Sequence, residues 1–197
     1  MPPFVDLLAL LEYRLRSVAI GHLALRYRSS WDEAPAMKVY FGDAQVMEGK
    51  ATGFTNGAVE SAIVHCRALL EFLGLGAGAS ATTLRELQSP RKPDDTGIEL
   101  IDGLSRVSVA DAVSQYPGPS SEAEAALAYV IYLANKGLAH TTTTFTKHEQ
   151  GASLLEVAFR GVPTLVVNRF YIPLGIQPPR YELEGQKCAA SQVARSK

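Results

Sequence analysis

Four segments of the chain repeat apolar residues at alternating steps of three and four, and this spacing constrains the fold more than any other feature. Residues at this interval share one helix face, because an α-helix turns once in about 3.6 residues. The segments cover residues 4–28, 57–73, 121–140 and 146–160. No alternation of strands with helices accompanies them. The pattern therefore predicts an all-α protein, a bundle of about four main helices.

The first two helices have defined ends and polar residues of interest. His22 falls on the apolar stripe of the first helix, where we expect a core or half-buried histidine bonded to a neighbour rather than a ligand. Asn56 is the predicted N-cap of the second helix, and Gly74 ends it. On that helix Arg67 and Glu71 are spaced i,i+4, so we expect them to pair.

Capping boxes mark the starts of the other two helices. Residues 121–124 read Ser-Glu-Ala-Glu, and residues 146–149 read Thr-Lys-His-Glu. Gly161 and Pro163 are expected to end or kink the fourth helix. Periodicity leaves open whether residues 165–172 continue it or form a strand.

The connections are long and irregular. Residues 31–56 fit either a small β-hairpin turning at Gly42-Asp43 or an irregular covering segment. Within residues 74–119 we expect a short helix after Ser108, capped with the help of Asp111. Residues 1–184 are predicted to form one helical domain, and residues 185–197 a flexible C-terminal tail with little to bury.

Charge and composition exclude several classes of partner. Nineteen Lys and Arg oppose twenty Asp and Glu, so no overall field attracts nucleic acid or an anionic membrane. The longest apolar run, residues 125–134, is about half of the roughly 20 residues that span a bilayer. Two cysteines are too few for a disulfide framework, and Cys66 lies on a helix face as a small core residue. We expect a cytoplasmic protein without a membrane partner.

Two motif fragments lack the context that their chemistry needs. Residues 76–81 fit the dinucleotide-binding pattern G-x-G-x-x-A, but a helix precedes them where a strand is required. His148-Glu149 begins a zincin-like motif, yet Ala152 stands where the second histidine should be. We therefore predict neither a cofactor nor a metal site.

The end of the third helix carries the strongest candidate chemistry. Lys136 and His140 are spaced i,i+4 on one helix face, with Asn135 beside them. An imidazole near a cation has a lowered proton affinity and can act as a general base. The simpler interpretation is a helix C-terminus, where the dipole favours Lys and His.

Three stretches resemble the HEPN superfamily of helical proteins. They are residues 65–73, Asp94-Asp95 and residues 135–140, so the resemblance covers about residues 56–140. It implies an up-and-down bundle that forms a homodimer. Catalytic members are metal-independent ribonucleases in which four to six residues separate an arginine from a following histidine. His140 matches the histidine, but residues 133–135 are Leu-Ala-Asn where the arginine is expected.

The missing arginine favours a non-catalytic binding or assembly module, with a protein partner or RNA. By this resemblance Arg67 and Asp95 are the candidate ligand-binding residues. The alternative is a metal-independent ribonuclease of a toxin–antitoxin or defence-type system, in which His140 acts with Asn135 and Lys136. Lysine at position 136 lacks the forked phosphate contact of arginine, which weighs against catalysis.

Overall fold

The computed structural model describes residues 3–78, 80–88, 90–138 and 151–181. These residues are mainly helical, as predicted, and they also form two small antiparallel sheets. The α-helices are α1 (Phe4–Arg28), α2 (Thr52–Phe72), α3 (Val109–Val113), α4 (Ser120–Tyr132) and α5 (Gly151–Val166). The strands are β1 (Ala36–Phe41), β2 (Ala44–Lys50), β3 (Leu75–Ala77) and β4 (Leu84–Glu86).

The bundle consists of two helix pairs, α1 with α2 and α4 with α5, and α5 also packs on α1. Gly21 permits the close approach of α1 to α2. A Cβ atom built on Gly21 would overlap the Ala62 side chain and lie 2.8 Å from the carbonyl oxygen of Ala58. A residue without a side chain is therefore required where the two helices touch.

The predicted helix faces form the core. On α1 the buried side chains include Leu11, Leu15 and Val18, while Leu8 is only partly buried and Leu7 is buried instead. Every predicted apolar position of α2 is buried, including Cys66. Six consecutive residues of α4, 126–131, are buried, so this helix is enclosed on all sides, as its apolar sequence requires.

Strands β1 and β2 form the predicted hairpin, so the interpretation of residues 31–56 as a purely irregular segment is wrong. Gly42 occupies the turn with φ +59°, a conformation that glycine adopts without strain. Every residue of β2 is exposed. Four large apolar side chains of the hairpin are exposed: Tyr40, Phe41, Val46 and Met47.

Two predicted helix starts are wrong. Helix α2 begins at Thr52, so Asn56 lies inside it, where its Oδ1 accepts a hydrogen bond from Arg28 at 3.3 Å. Helix α4 begins at Ser120 after Pro119, with no side-chain cap. The carboxylate of Glu124 accepts a hydrogen bond from the Leu84 backbone at 3.0 Å instead of completing a capping box. At both helix starts, the side chain that the local pattern predicted as a cap instead binds a partner that is distant in sequence.

Helix α5 does not end at Gly161 or Pro163, as the sequence suggested. It continues to Val166 and into a π-helical turn, Val167–Tyr171, so residues 165–171 are helical rather than a strand. Pro163 cannot donate a backbone hydrogen bond, but it is a buried residue inside the helix. The predicted cap at residues 146–149 lies outside the described residues.

The long connection after α2 is more regular than expected. Gly74, with φ +92°, ends α2 as predicted, and β3 and β4 follow as a second hairpin. Gly76 and Ala77 thus lead from one strand into another and not into a helix, which is the wrong geometry for a dinucleotide-binding turn. A 3-10 turn occupies Ile98–Leu100. The Ser108 hydroxyl accepts from the Asp111 amide at 3.0 Å, which confirms the predicted cap of α3.

In the described ranges, no helix is both long enough and apolar enough to cross a membrane. The predicted tail, residues 185–197, and the last three residues of the predicted domain lie outside those ranges.

Candidate functional site

Helices α1 and α2 and the segment 87–96 enclose a cleft of about 540 Å³, which we call the α1–α2 cleft. The predicted ligand-binding residues Arg67 and Asp95 both line it, one from a helix and one from a loop. Other cations in the lining are Arg14, Arg91 and Lys92. The volume falls within the range of about 300–1,000 Å³ typical of small-molecule sites.

Arg91 fixes the loop side of the cleft to the end of α2. Its Nη2 donates to the carbonyl oxygens of Glu71 at 2.8 Å and Phe72 at 3.1 Å. These carbonyls belong to the last turn of α2, where the helix dipole favours a cation, and the Glu71 carbonyl also accepts from the Gly74 amide at 3.0 Å. Arg91 therefore acts as a clamp that holds the segment 87–96 against the helix carrying Arg67.

Glu99 lies outside the cleft lining and binds both Arg91 and Arg106. It accepts hydrogen bonds from Arg91 Nε at 2.8 Å and from Arg106 Nε at 2.7 Å. Burial alone would raise the pKa of Glu99, but the hydrogen bonds from the two arginines lower it to about 2. Arg106 also donates to the carbonyl oxygen of Leu87, at the start of the cleft segment.

The guanidinium of Arg91 lies against a glycine. A Cβ atom built on Gly97 would overlap the Arg91 guanidinium group, so only glycine leaves room for this arrangement. The clamp thus depends on a residue six positions further along the same loop.

Arg67 and Asp95 are each tied to a neighbour. Arg67 Nε donates to Glu71 Oε1 at 2.9 Å, which confirms the predicted i,i+4 pair, and both side chains are about 40% exposed. Asp95 is exposed, and its Oδ2 accepts a hydrogen bond from the Lys92 backbone at 3.3 Å. Because one edge of each group remains accessible, a ligand can add contacts without breaking these bonds.

Arg14 on α1 borders the same cleft and bonds to His65 on α2, with Nη1 3.1 Å from Nδ1. Arginine can only donate, so this Nδ1 accepts and the imidazole is neutral. Burial and, second, the charge of Arg14 lower the pKa of His65. Burial also lowers the pKa of Arg14, against the opposing effects of Tyr13 and Glu71.

The cleft therefore presents charges of both signs over an apolar base. Four cationic side chains and three carboxylates line it. The carboxylates belong to Glu71, Asp94 and Asp95. Leu7, Leu11 and Phe72 supply buried apolar surface beneath them. Such a lining suits a ligand that carries an anionic group and a hydrogen-bond donor on an apolar frame.

Two of the predicted catalytic residues, Asn135 and Lys136, do not line this cleft. Asn135 and Lys136 lie in a π-helical turn, Leu133–Leu138, where α4 was expected to continue as an α-helix. Hydrogen bonds in a π-helix run between residues five positions apart. Asn135 is half-buried and Lys136 is exposed. His140 and His148 lie outside the described residues.

A second cleft, of about 590 Å³, separates α1 from α5, and we call it the α1–α5 cleft. His22 and Glu156 meet in it, with Nε2 2.8 Å from Oε1. The expectation of a half-buried histidine bonded to a neighbour is confirmed, since the side chain is 22% exposed.

Sequence reasoning missed several residues of the α1–α2 cleft. Arg14 lies off the apolar stripe of α1, and its partner His65 is 51 positions away on α2, so local sequence does not relate the two. Arg91 and Lys92 sit in an irregular segment where periodicity carries no information. Among the described residues, no group of three or more His, Cys, Asp or Glu side chains is placed to hold a metal ion.

No protein-family model matches the chain, and neither a curated protein nor a solved structure matches it.

Proposed function

We propose that this protein is a HEPN-like helical bundle that acts as a non-catalytic binding module, with the α1–α2 cleft as its ligand site. One observation carries the proposal: Arg67 and Asp95, 28 positions apart, line the same cleft. The two side chains carry opposite charges, and the lining of the cleft also includes buried apolar side chains. Binding sites commonly combine an apolar lining with a few converging polar groups.

The ligand class follows from the charges. Arg67 and Arg14 offer donors to a carboxylate or phosphate, and Asp95 accepts from an ammonium, amine or amide group. Carboxylates beside the arginines disfavour a purely anionic ligand. We therefore propose a small dipolar ligand that has one anionic group and one donor group, as amino acids and nucleoside monophosphates have.

A thermal-shift screen tests this proposal. The purified chain is mixed at millimolar concentration with each standard amino acid and each of the four common nucleoside monophosphates. At least one compound should raise the melting temperature, because a ligand that binds only the folded state stabilises it. Arg67→Gln and Asp95→Asn should each remove most of that shift.

Arg16→Gln is the matched control, since Arg16 is an exposed arginine of α1 that pairs with Glu12 outside the cleft. This variant should respond to the compound like the wild type. The proposal fails if no compound binds, or if both cleft variants bind as well as the control.

A metal-independent ribonuclease is the second candidate. It is favoured by the π-helical turn with Asn135 and Lys136, which packs against α2, the helix that carries Arg67. π-Helical turns often occur at functional sites. The protein should leave single-stranded RNA intact in EDTA if it is a binding module. Cleavage that disappears in an equally folded His140→Ala variant would establish the nuclease instead, because losing general acid–base catalysis costs roughly a hundredfold or more in rate.

A further inference from the structure

The α1–α5 cleft contains a second polar site, distinct from the α1–α2 cleft. His22 and Arg26 lie one turn apart on α1, and Glu156 and Arg160 lie one turn apart on α5. Residues at this spacing share a helix face. The bond between His22 and Glu156 therefore joins two facing surfaces, each of which also carries an arginine.

The two arginines stand on opposite sides of the His22–Glu156 pair. Arg26 and Glu156 also border an adjoining recess of about 340 Å³, together with Ala152 and Ser153 from the start of α5. The later part of α1 therefore faces the earlier part of α5, and Arg160 lies beyond the pair in the other direction. Each arginine is about one helical turn, roughly 6 Å, from the pair along its helix axis. An extended arginine side chain covers this distance.

The charges of the site favour an anion. Two arginines and one glutamate line the cleft, so its guanidinium groups outnumber its carboxylates. The Glu156 carboxylate is already engaged by His22. Among the described residues, Arg26 has no hydrogen-bond or ion-pair partner, and its side chain is exposed. Its donors are therefore accessible to a ligand.

The other residues that line the cleft indicate what a ligand carries besides its anionic group. Leu23, Phe159 and Pro163 contribute apolar surface, and Thr164 and Tyr181 contribute polar groups. Hydroxyl groups of Ser29 and Ser153 line the adjoining recess. Forked guanidinium donors on two sides match a group with several acceptor oxygens, as phosphate has, better than a single carboxylate.

We propose that the α1–α5 cleft binds a small organic phosphate ester, with its phosphate held between Arg26 and Arg160 beside His22 and its organic part on the apolar wall. The His22–Glu156 bond positions the imidazole and holds α1 and α5 at the separation that the ligand requires. This proposal does not depend on what the α1–α2 cleft binds.

Calorimetric titration with phenyl phosphate and with inorganic phosphate tests the proposal. The wild-type chain should bind phenyl phosphate more tightly, because the ring adds apolar contact. Arg26→Gln and Arg160→Gln should each weaken binding about tenfold, the effect of losing a partly exposed charge-assisted contact. Phenyl phosphate should also shift the imidazole NMR signals of His22.

Arg16→Gln is the control with the same loss of charge, because Arg16 pairs with Glu12 outside both clefts. This variant should bind phenyl phosphate like the wild type. The proposal is overturned if phenyl phosphate does not bind, if Arg26→Gln and Arg160→Gln bind normally, or if Arg67→Gln alone loses binding. Equal affinity for the two probes would contradict the apolar wall as part of the site.

Discussion

Arg91 holds Glu99 through two parallel hydrogen bonds, from Nε to Oε1 at 2.8 Å and from Nη2 to Oε2 at 3.1 Å. This forked geometry gives arginine–carboxylate pairs both strength and a fixed orientation. The same guanidinium also binds the end of α2. The Arg91 side chain thus connects the loop that carries Asp95 to the helix that carries Arg67. The α1–α2 cleft therefore depends on Glu99, which binds Arg91 but does not line the cleft.

Replacing Glu99 tests this dependence. Glu99→Gln keeps the shape of the side chain but leaves two arginines, 12% and 26% exposed, without their carboxylate. Losing one partner of a largely buried ion pair costs about 3 kcal/mol of unfolding free energy. Chemical denaturation measures the loss. Glu60→Gln, on the exposed face of α2, is the control and should unfold like the wild type.

Acid should lower the free energy of unfolding by protonating Glu99. The pKa of Glu99 is about 2 in the folded chain, below its ordinary value of 4.5, so the folded state binds this proton less tightly than the unfolded state. The stabilisation is complete above about pH 4.5 and is lost as the pH falls toward 2. It amounts to roughly 3 kcal/mol. The stability difference between wild type and Glu99→Gln should therefore shrink between pH 5 and pH 3, and a constant difference would contradict the assignment.

The sequence predicted the buried faces of α1 and α2 well and the starts of α2 and α4 poorly, for a physical reason. Apolar spacing is set by helix geometry and by burial, which apply equally along α1 and α2. Cap residues depend on which polar partner lies nearest in three dimensions. Glu124 bonds the backbone of Leu84, and Asn56 bonds Arg28, so neither local pattern was realised. Hairpin β3–β4 was missed because each of its strands has only three residues.

Because α1 and α2 touch at Gly21, we expect one added methyl group at this position to lower the free energy of unfolding. Gly21→Ala should destabilise the fold by about 1–3 kcal/mol, because the new Cβ atom meets Ala62 and the backbone of Ala58. Gly57→Ala is the control on α2. A Cβ atom there meets nothing within 4 Å, so the higher helix propensity of alanine should stabilise the chain by about 0.5–1 kcal/mol. Thermal denaturation of the two variants should give shifts of opposite sign.

Self-association remains a prediction. We expect a homodimer with an apolar helical interface, and Val64 on α2 is an apolar side chain that is 47% exposed. Val64→Asp should weaken the dimer, because an apolar interface disfavours an unpaired charge. Phe41→Ser, in the exposed hairpin, should leave the dimer intact. Light scattering at micromolar concentration measures both, and a wild-type chain that is only monomeric would contradict the prediction.

The candidate site was predictable only in part. Arg67 and Asp95 were identified by resemblance, and the structure places them in one cleft. Arg14 and Arg91 were not identified, since their contribution depends on how α1 and the loop 87–96 pack beside α2. The His22–Glu156 pair was beyond sequence reasoning for the same reason. Its members are 134 positions apart, and no local pattern relates them.

Calorimetric titration of the α1–α2 cleft tests the proposed binding function most directly. The compound that gives the largest thermal shift is titrated into the wild type, Arg67→Gln, Asp95→Asn and the control Arg16→Gln. Each cleft variant should bind about tenfold more weakly, since each loses one partly exposed charged contact, while the control should match the wild type. Affinities of Arg67→Gln and Asp95→Asn equal to that of the wild type would contradict the assignment of the ligand to this cleft.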